Sequence, residues 1–107
     1  MSVNDETIQS IRNQIVNKFN PVDVILFGSR AKGLVRKSSD IDICVIKDTQ
    51  NKRKLVQDIL IEIDCDADLD VIVYTPAQWE RYKNDKSMFA HVINRTGVSL
   101  GGRYKTV

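Results

Sequence analysis

Three short aliphatic runs set the frame of this chain: VDVILF at 22–27, DIDICVI at 40–46 and LDVIVYT at 69–75. Each is too short for a typical helix and rich in β-branched residues, so each is expected to form a strand. The first is almost wholly apolar and is expected to be buried on both faces. In the second, Ile41, Ile43 and Val45 point to one side, and Asp40, Asp42 and Cys44 to the other. Gly28 ends the first strand and Pro76 closes the third.

The segments around these runs have helical spacing instead. From Asn4 to Lys18, Ile8, Ile11, Ile15 and Val16 line one face, continued by Phe19, with Ser2 or Asn4 as candidate cap; Asn20-Pro21 stops the helix. From about Lys52, the residues Leu55, Val56, Ile59, Leu60 and Ile63 repeat that pattern. A C-terminal helix is expected to carry Trp79, Tyr82, Met88, Phe89, Val92 and Ile93 and to end near Gly97, with an irregular tail, SLGGRYKTV, beyond it. One further helical turn is expected around Ala31 to Leu34. The order helix–strand–(turn)–strand–helix–strand–helix implies an α/β or α+β layered fold. With 107 residues and no repeat or linker, residues 1–107 are expected to form a single domain.

Composition narrows the class without choosing a function. Charged residues make up 28% and the net charge is +2, too small to argue for a nucleic-acid surface. Direct nucleic-acid binding is therefore not expected. No apolar run approaches the roughly 20 residues needed to span a bilayer, and MSVNDETIQS does not read as a secretory leader. A cytoplasmic protein without a membrane partner is the expectation. Cys44 and Cys65 lack metal-site spacing and are expected to be small reduced residues in or near the core.

The chemistry concentrates in FGSRAKGLVRKSSDIDI, residues 27–43. A strand that ends in Gly28-Ser29 exposes backbone N–H groups at a tight bend, Ser29 adds a hydroxyl, and Arg30 adds a planar fork suited to phosphate oxygens. Asp40 and Asp42 share one strand face about 6.6 Å apart, at roughly 3.3 Å per residue. Two such carboxylates repel each other unless a cation lies between them. With no histidine or thiolate beside them they suit Mg²⁺, or alternatively Mn²⁺, better than zinc. A two-metal site needs a further acid, and the third strand offers Asp70 or Asp68; Asp70 is preferred because it lies inside the expected strand. The basic residues Lys32, Arg36 and Lys37 read equally as a solvated loop or a guide for an anion.

Gly-Ser, ten intervening residues and Asp-x-Asp, set between VILF and ICVI and followed by LDVIVY, resemble the nucleotidyltransferase superfamily of DNA polymerase beta and kanamycin nucleotidyltransferase. The resemblance implies a nucleotidyltransferase fold, a small mixed sheet of three or four strands flanked by helices in the order α-β-(α)-β-α-β-α. It implies that Gly28, Ser29 and Arg30 bind the nucleotide phosphates. It further implies that Asp40, Asp42 and Asp70 hold two Mg²⁺ ions and activate the acceptor hydroxyl.

The chain's length is similar to that of the minimal nucleotidyltransferases, which commonly pair with a helical HEPN protein. This implies an ATP-dependent enzyme that transfers AMP to a tyrosine of a HEPN ribonuclease toxin, as the antitoxin of a type VII toxin–antitoxin pair and within a hetero-oligomer. Two alternatives stand beside it: an antitoxin that masks its partner by binding, and a nucleotidyltransferase acting on a small molecule or an RNA end. His91, the sole histidine, is expected to be solvated or half-buried, Tyr74 to be core, and Tyr104 is a remote candidate for self-modification.

Overall fold

The computed structural model describes residues 6–28, 41–65 and 67–102. Helix α1 (Glu6–Phe19) leads into strand β1 (Asp23–Phe27); β2 (Ile41–Ile46), α2 (Lys52–Glu62) and β3 (Leu69–Tyr74) follow. Then come α3 (Pro76–Tyr82), α4 (Phe89–Thr96) and β4 (Val98–Ser99). The strands form one mixed sheet in the order β3-β2-β1-β4. β1 runs antiparallel to both β2 and β4, while β2 and β3 are parallel. A parallel pair needs a long crossover, and the segment carrying α2 supplies it.

The two inner strands, β1 and β2, are buried on both faces, as their apolar runs require, whereas on the edge strand β3 only Val73 is buried. On one face Val24, Leu26, Ile41, Ile43 and Val45 pack with Ile8, Ile11 and Ile15 of α1 and with Leu55 and Ile59 of α2. On the other, Ile25, Phe27, Cys44 and Ile46 meet Ile93 of α4, with Trp79 of α3 and Tyr74 packed beside them. The alternation expected along β2 is thus observed, and both of its sides are covered. No helix among the described residues is long and apolar enough to cross a membrane.

Local chemistry explains the helix ends. Asn20 leaves α1 with φ of 51°, a left-handed conformation that asparagine tolerates, and Pro21 prevents continuation. Asn51 caps α2 by accepting the Lys54 N–H at 3.0 Å. Thr75 and Gln78 form a reciprocal capping box at the start of α3, with Pro76 in the first turn. The candidate caps Ser2 and Asn4, and the expected turn at 31–34, lie outside the described residues.

Several expectations need correction. The single C-terminal helix is two helices. Between them Asp85 accepts both the N–H and the hydroxyl of Ser87, at 3.0 and 2.7 Å, and this local bonding competes with helix formation. Burial on α4 also differs from the expected face: Ala90 and Ile93 are buried, whereas Phe89 and Val92 are 50% and 47% exposed. On α2, Leu60 is likewise exposed.

The start of the tail is ordered rather than irregular. Val98 and Ser99 pair with Leu26 and Ile25 of β1. Leu100 donates its N–H to the Val24 carbonyl at 2.7 Å and accepts from Arg12 Nε at 3.1 Å. Its side chain is fully buried in the α1 face of the core. Leu100→Ala is therefore expected to cost about 2–5 kcal/mol of unfolding free energy, measured by urea denaturation. An irregular tail would give a change within about 0.5 kcal/mol.

Candidate functional site

Strand direction brings three positions into a row. Because β1 is antiparallel to β2, the C-terminal end of β1 lies beside the N-terminal end of β2, with Phe27 opposite Asp42. Because β3 is parallel to β2, Asp70 stands opposite Asp42 on the other side. Neighbouring strands are about 4.8 Å apart, so Asp42 and Asp70 are as close as two strand positions can be across a ladder. Both lie on the α3/α4 face, by alternation with Cys44 and Ile46 on β2 and with Ile72 and Tyr74 on β3. Asp42 is half-buried and Asp70 exposed.

Gly28 closes over this row from the end of β1. Its φ of 77° is left-handed, where a Cβ is penalised. A Cβ built there would also collide with Oδ2 of Asp42. Glycine is thus required twice, for the bend and for the approach of backbone to carboxylate.

The donor set is all oxygen. Two carboxylates from adjacent strands, one facing solvent and one against bare backbone, suit a hard divalent cation better than a thiophilic one. Among the described residues no group of three His, Cys, Asp or Glu side chains converges to hold a metal ion. Asp40, the other acid expected on this strand face, lies outside the described residues, as do Ser29, Arg30 and the rest of the basic loop at 31–37. Asp68 precedes β3, and its carbonyl accepts the Ile41 N–H at 2.9 Å. Asp70, not Asp68, is the acid in register with Asp42.

Other singled-out residues sit elsewhere. His91 is half-buried, as expected, and its Nδ1 lies 3.1 Å from the Lys83 carbonyl, a contact that ties α4 to the end of α3. Tyr74 is only partly buried and packs against Trp79 with ring centroids 5.8 Å apart. A surface hollow of about 270 Å³ lies beside Glu6, Ser10 and Asp64, and another of about 280 Å³ beside Asp23, Trp79 and Asn94. Neither is lined by Gly28, Asp42 or Asp70.

Cys44 is fully buried two residues beyond Asp42, and desolvation, with the Asp23 charge adding to it, pushes its thiol up to about 12. Only the thiolate reacts with alkylating agents, and near pH 8 the Cys44 thiolate fraction is on the order of 10⁻⁴. Iodoacetamide is therefore expected to modify the half-exposed Cys65 and to spare Cys44 in the native protein, with both labelled after unfolding. Peptide mass spectrometry reads the outcome directly.

The phenylalanine pair beside the row was not legible in the sequence. Phe27 and Phe89 are 62 positions apart, and their rings meet edge to face at 5.8 Å. The available signal was an aromatic immediately before Gly28, but nothing in the pattern identified its partner.

Comparison with known proteins matches residues 8–98 to the family model described as "Nucleotidyltransferase domain". Among solved structures, a Sulfolobus solfataricus protein described as a candidate nucleotidyltransferase superposes with a TM-score of 0.65 at 24% identity. The match covers 94% of this chain and 82% of that one, and at this identity it establishes the shared fold. A search of curated proteins gives no match.

Proposed function

The chain belongs to the nucleotidyltransferase domain family, and from that premise we propose that it moves AMP from ATP to a hydroxyl, most specifically to a tyrosine of a HEPN ribonuclease partner. The observation that carries the site assignment is the register of Asp42 with Asp70, with Gly28 packed against the Asp42 carboxylate. In this reading Asp40, Asp42 and Asp70 hold Mg²⁺. When bound, the metal supplies Lewis-acid stabilisation of charge on the phosphates.

The protein's own groups do the remaining work. Gly28 and Ser29 offer backbone N–H groups and a hydroxyl to the β- and γ-phosphates, and Arg30 offsets the charge that develops on them. The acceptor oxygen forms a bond to the α-phosphorus while the α–β bridging P–O bond breaks, and pyrophosphate leaves. Asp70, the exposed acid, takes the hydroxyl proton as general base. An acid on the solvent side of the row suits that role, because an incoming hydroxyl must reach it.

The partner assignment rests on the resemblance to the minimal nucleotidyltransferases and makes the protein an antitoxin. It is tested by incubating the protein with α-labelled ATP, Mg²⁺ and the product of its neighbouring gene. Label on a tyrosine of that product, absent with Asp42→Ala, is the expected result. A neighbour that is inhibited but unlabelled, with the variant equally protective, would replace catalysis with masking. Label confined to RNA or a small molecule would move the acceptor to those classes.

A further inference from the structure

The α4 helix leaves an apolar pair uncovered immediately beside the row of Asp42 and Asp70. Ala90 and Ile93 carry the buried side of the helix, while Phe89 and Val92 remain about half exposed. Residues three apart are neighbours on a helix surface, so these two form one patch. Phe89 is anchored by its edge-to-face contact with Phe27. Phe27 in turn stands opposite Asp42 in the ladder and is bonded through the chain to Gly28. The patch therefore continues the candidate phosphate-handling row along the same face of the sheet.

We propose that the exposed face of Phe89, extended by Val92, is the platform on which the base of the nucleotide stacks. This rests on the reading that Gly28, Asp42 and Asp70 handle a nucleoside triphosphate. Size favours a base over a protein surface. A stable protein interface engages about 20–30 residues a side, whereas two half-exposed side chains on an eight-residue helix match the face of one heterocycle. Chemistry agrees, since a half-exposed ring already held by one edge-to-face contact takes a stacking base at little further cost in side-chain entropy. Stacking on an aromatic face is tolerant of base identity, so the platform supplies affinity for any nucleotide and little discrimination between purines.

Calorimetry with two probes, ATP and inorganic tripolyphosphate, each with MgCl₂, tests the assignment on wild type, Phe89→Ala and Phe89→Trp. The expected result is that Phe89→Ala weakens ATP binding roughly tenfold, leaves tripolyphosphate binding unchanged, and is rescued by Phe89→Trp. Equal weakening of both probes would mean that Phe89 acts through the fold and would overturn the proposal. Unchanged ATP binding in Phe89→Ala would overturn it while leaving the nucleotide site standing. If the KM for the acceptor then rose alone, the patch would belong to the acceptor. Wild type binding neither probe would overturn the platform and the nucleotide reading together.

Discussion

Replacing Asp42 with asparagine is expected to lower nucleotidyl transfer by at least about a thousandfold while leaving the fold intact. Lewis-acid stabilisation of a phosphoryl centre is worth several kcal/mol, and each 1.36 kcal/mol is tenfold in rate. An amide keeps the shape of the carboxylate but not its charge, and a neutral ligand loses most of its hold on a hard divalent ion. The stability change should have a different size and sign. Asp42 faces Asp70 directly across the β2–β3 ladder, where like charges oppose folding. Without metal, Asp42→Asn is thus expected to be neutral or to stabilise by up to about 1 kcal/mol. Activity lost with stability retained marks a functional acid. Activity and stability lost together would mark a structural one.

Gly28→Ala is expected to damage both. The left-handed φ of 77° costs an L-residue about 1–2 kcal/mol, and the added methyl meets Oδ2 of Asp42. The carboxylate must move or the bend must open, and displacing a reacting group by about 1 Å can cost 10²-fold in rate. The combined expectation is a loss of about 1–3 kcal/mol in stability and at least about a hundredfold in transfer. A double-mutant cycle separates the two causes. In an Asp42→Ala background the collision is gone, so Gly28→Ala should then cost only the backbone part of that penalty. If the cost is the same in both backgrounds, the packing of Gly28 on Asp42 carries no energy.

The strands, and the burial of β1 on both faces, were legible because they rest on local rules. VDVILF, DIDICVI and LDVIVY have the length, branching and apolar content of strands, and β1, β2 and β3 form within them. The α+β class was readable from the order of helical and strand segments, and the nucleotidyltransferase family from the resemblance carried by Gly28-Ser29 and Asp40-Ile41-Asp42, which the family match over residues 8–98 bears out.

What was not legible depends on contacts between distant residues. The pairing of β4 with β1 follows from hydrogen bonds of Val24 to Leu100 and Gly101, and a two-residue strand leaves no periodicity to detect. The break between α3 and α4 is written in Asn84-Asp85-Lys86-Ser87, a run of turn-forming residues that the apolar spacing of Tyr82, Met88 and Phe89 concealed. The exposure of Phe89 and Val92 on α4 has the same origin. Once the helix starts afresh at Phe89, its phase is set by Ile93 against the sheet rather than by continuity with Trp79. Of the candidate site, Asp42 and Asp70 were named from the sequence, but their register depends on the parallel pairing of β2 with β3. Strand order is a property of the whole fold, and alternation alone does not contain it.

The measurement that bears most directly on the Gly28–Asp42–Asp70 row compares ATP labelled at the α-phosphate with ATP labelled at the γ-phosphate. Each is incubated with the protein, Mg²⁺ and the product of the neighbouring gene. Transfer at this row predicts that the α-label becomes covalently attached to the acceptor, that the γ-label leaves in pyrophosphate, and that both events vanish in Asp42→Asn. A γ-label on the acceptor, or an α-label transferred equally well by Asp42→Asn, would contradict it.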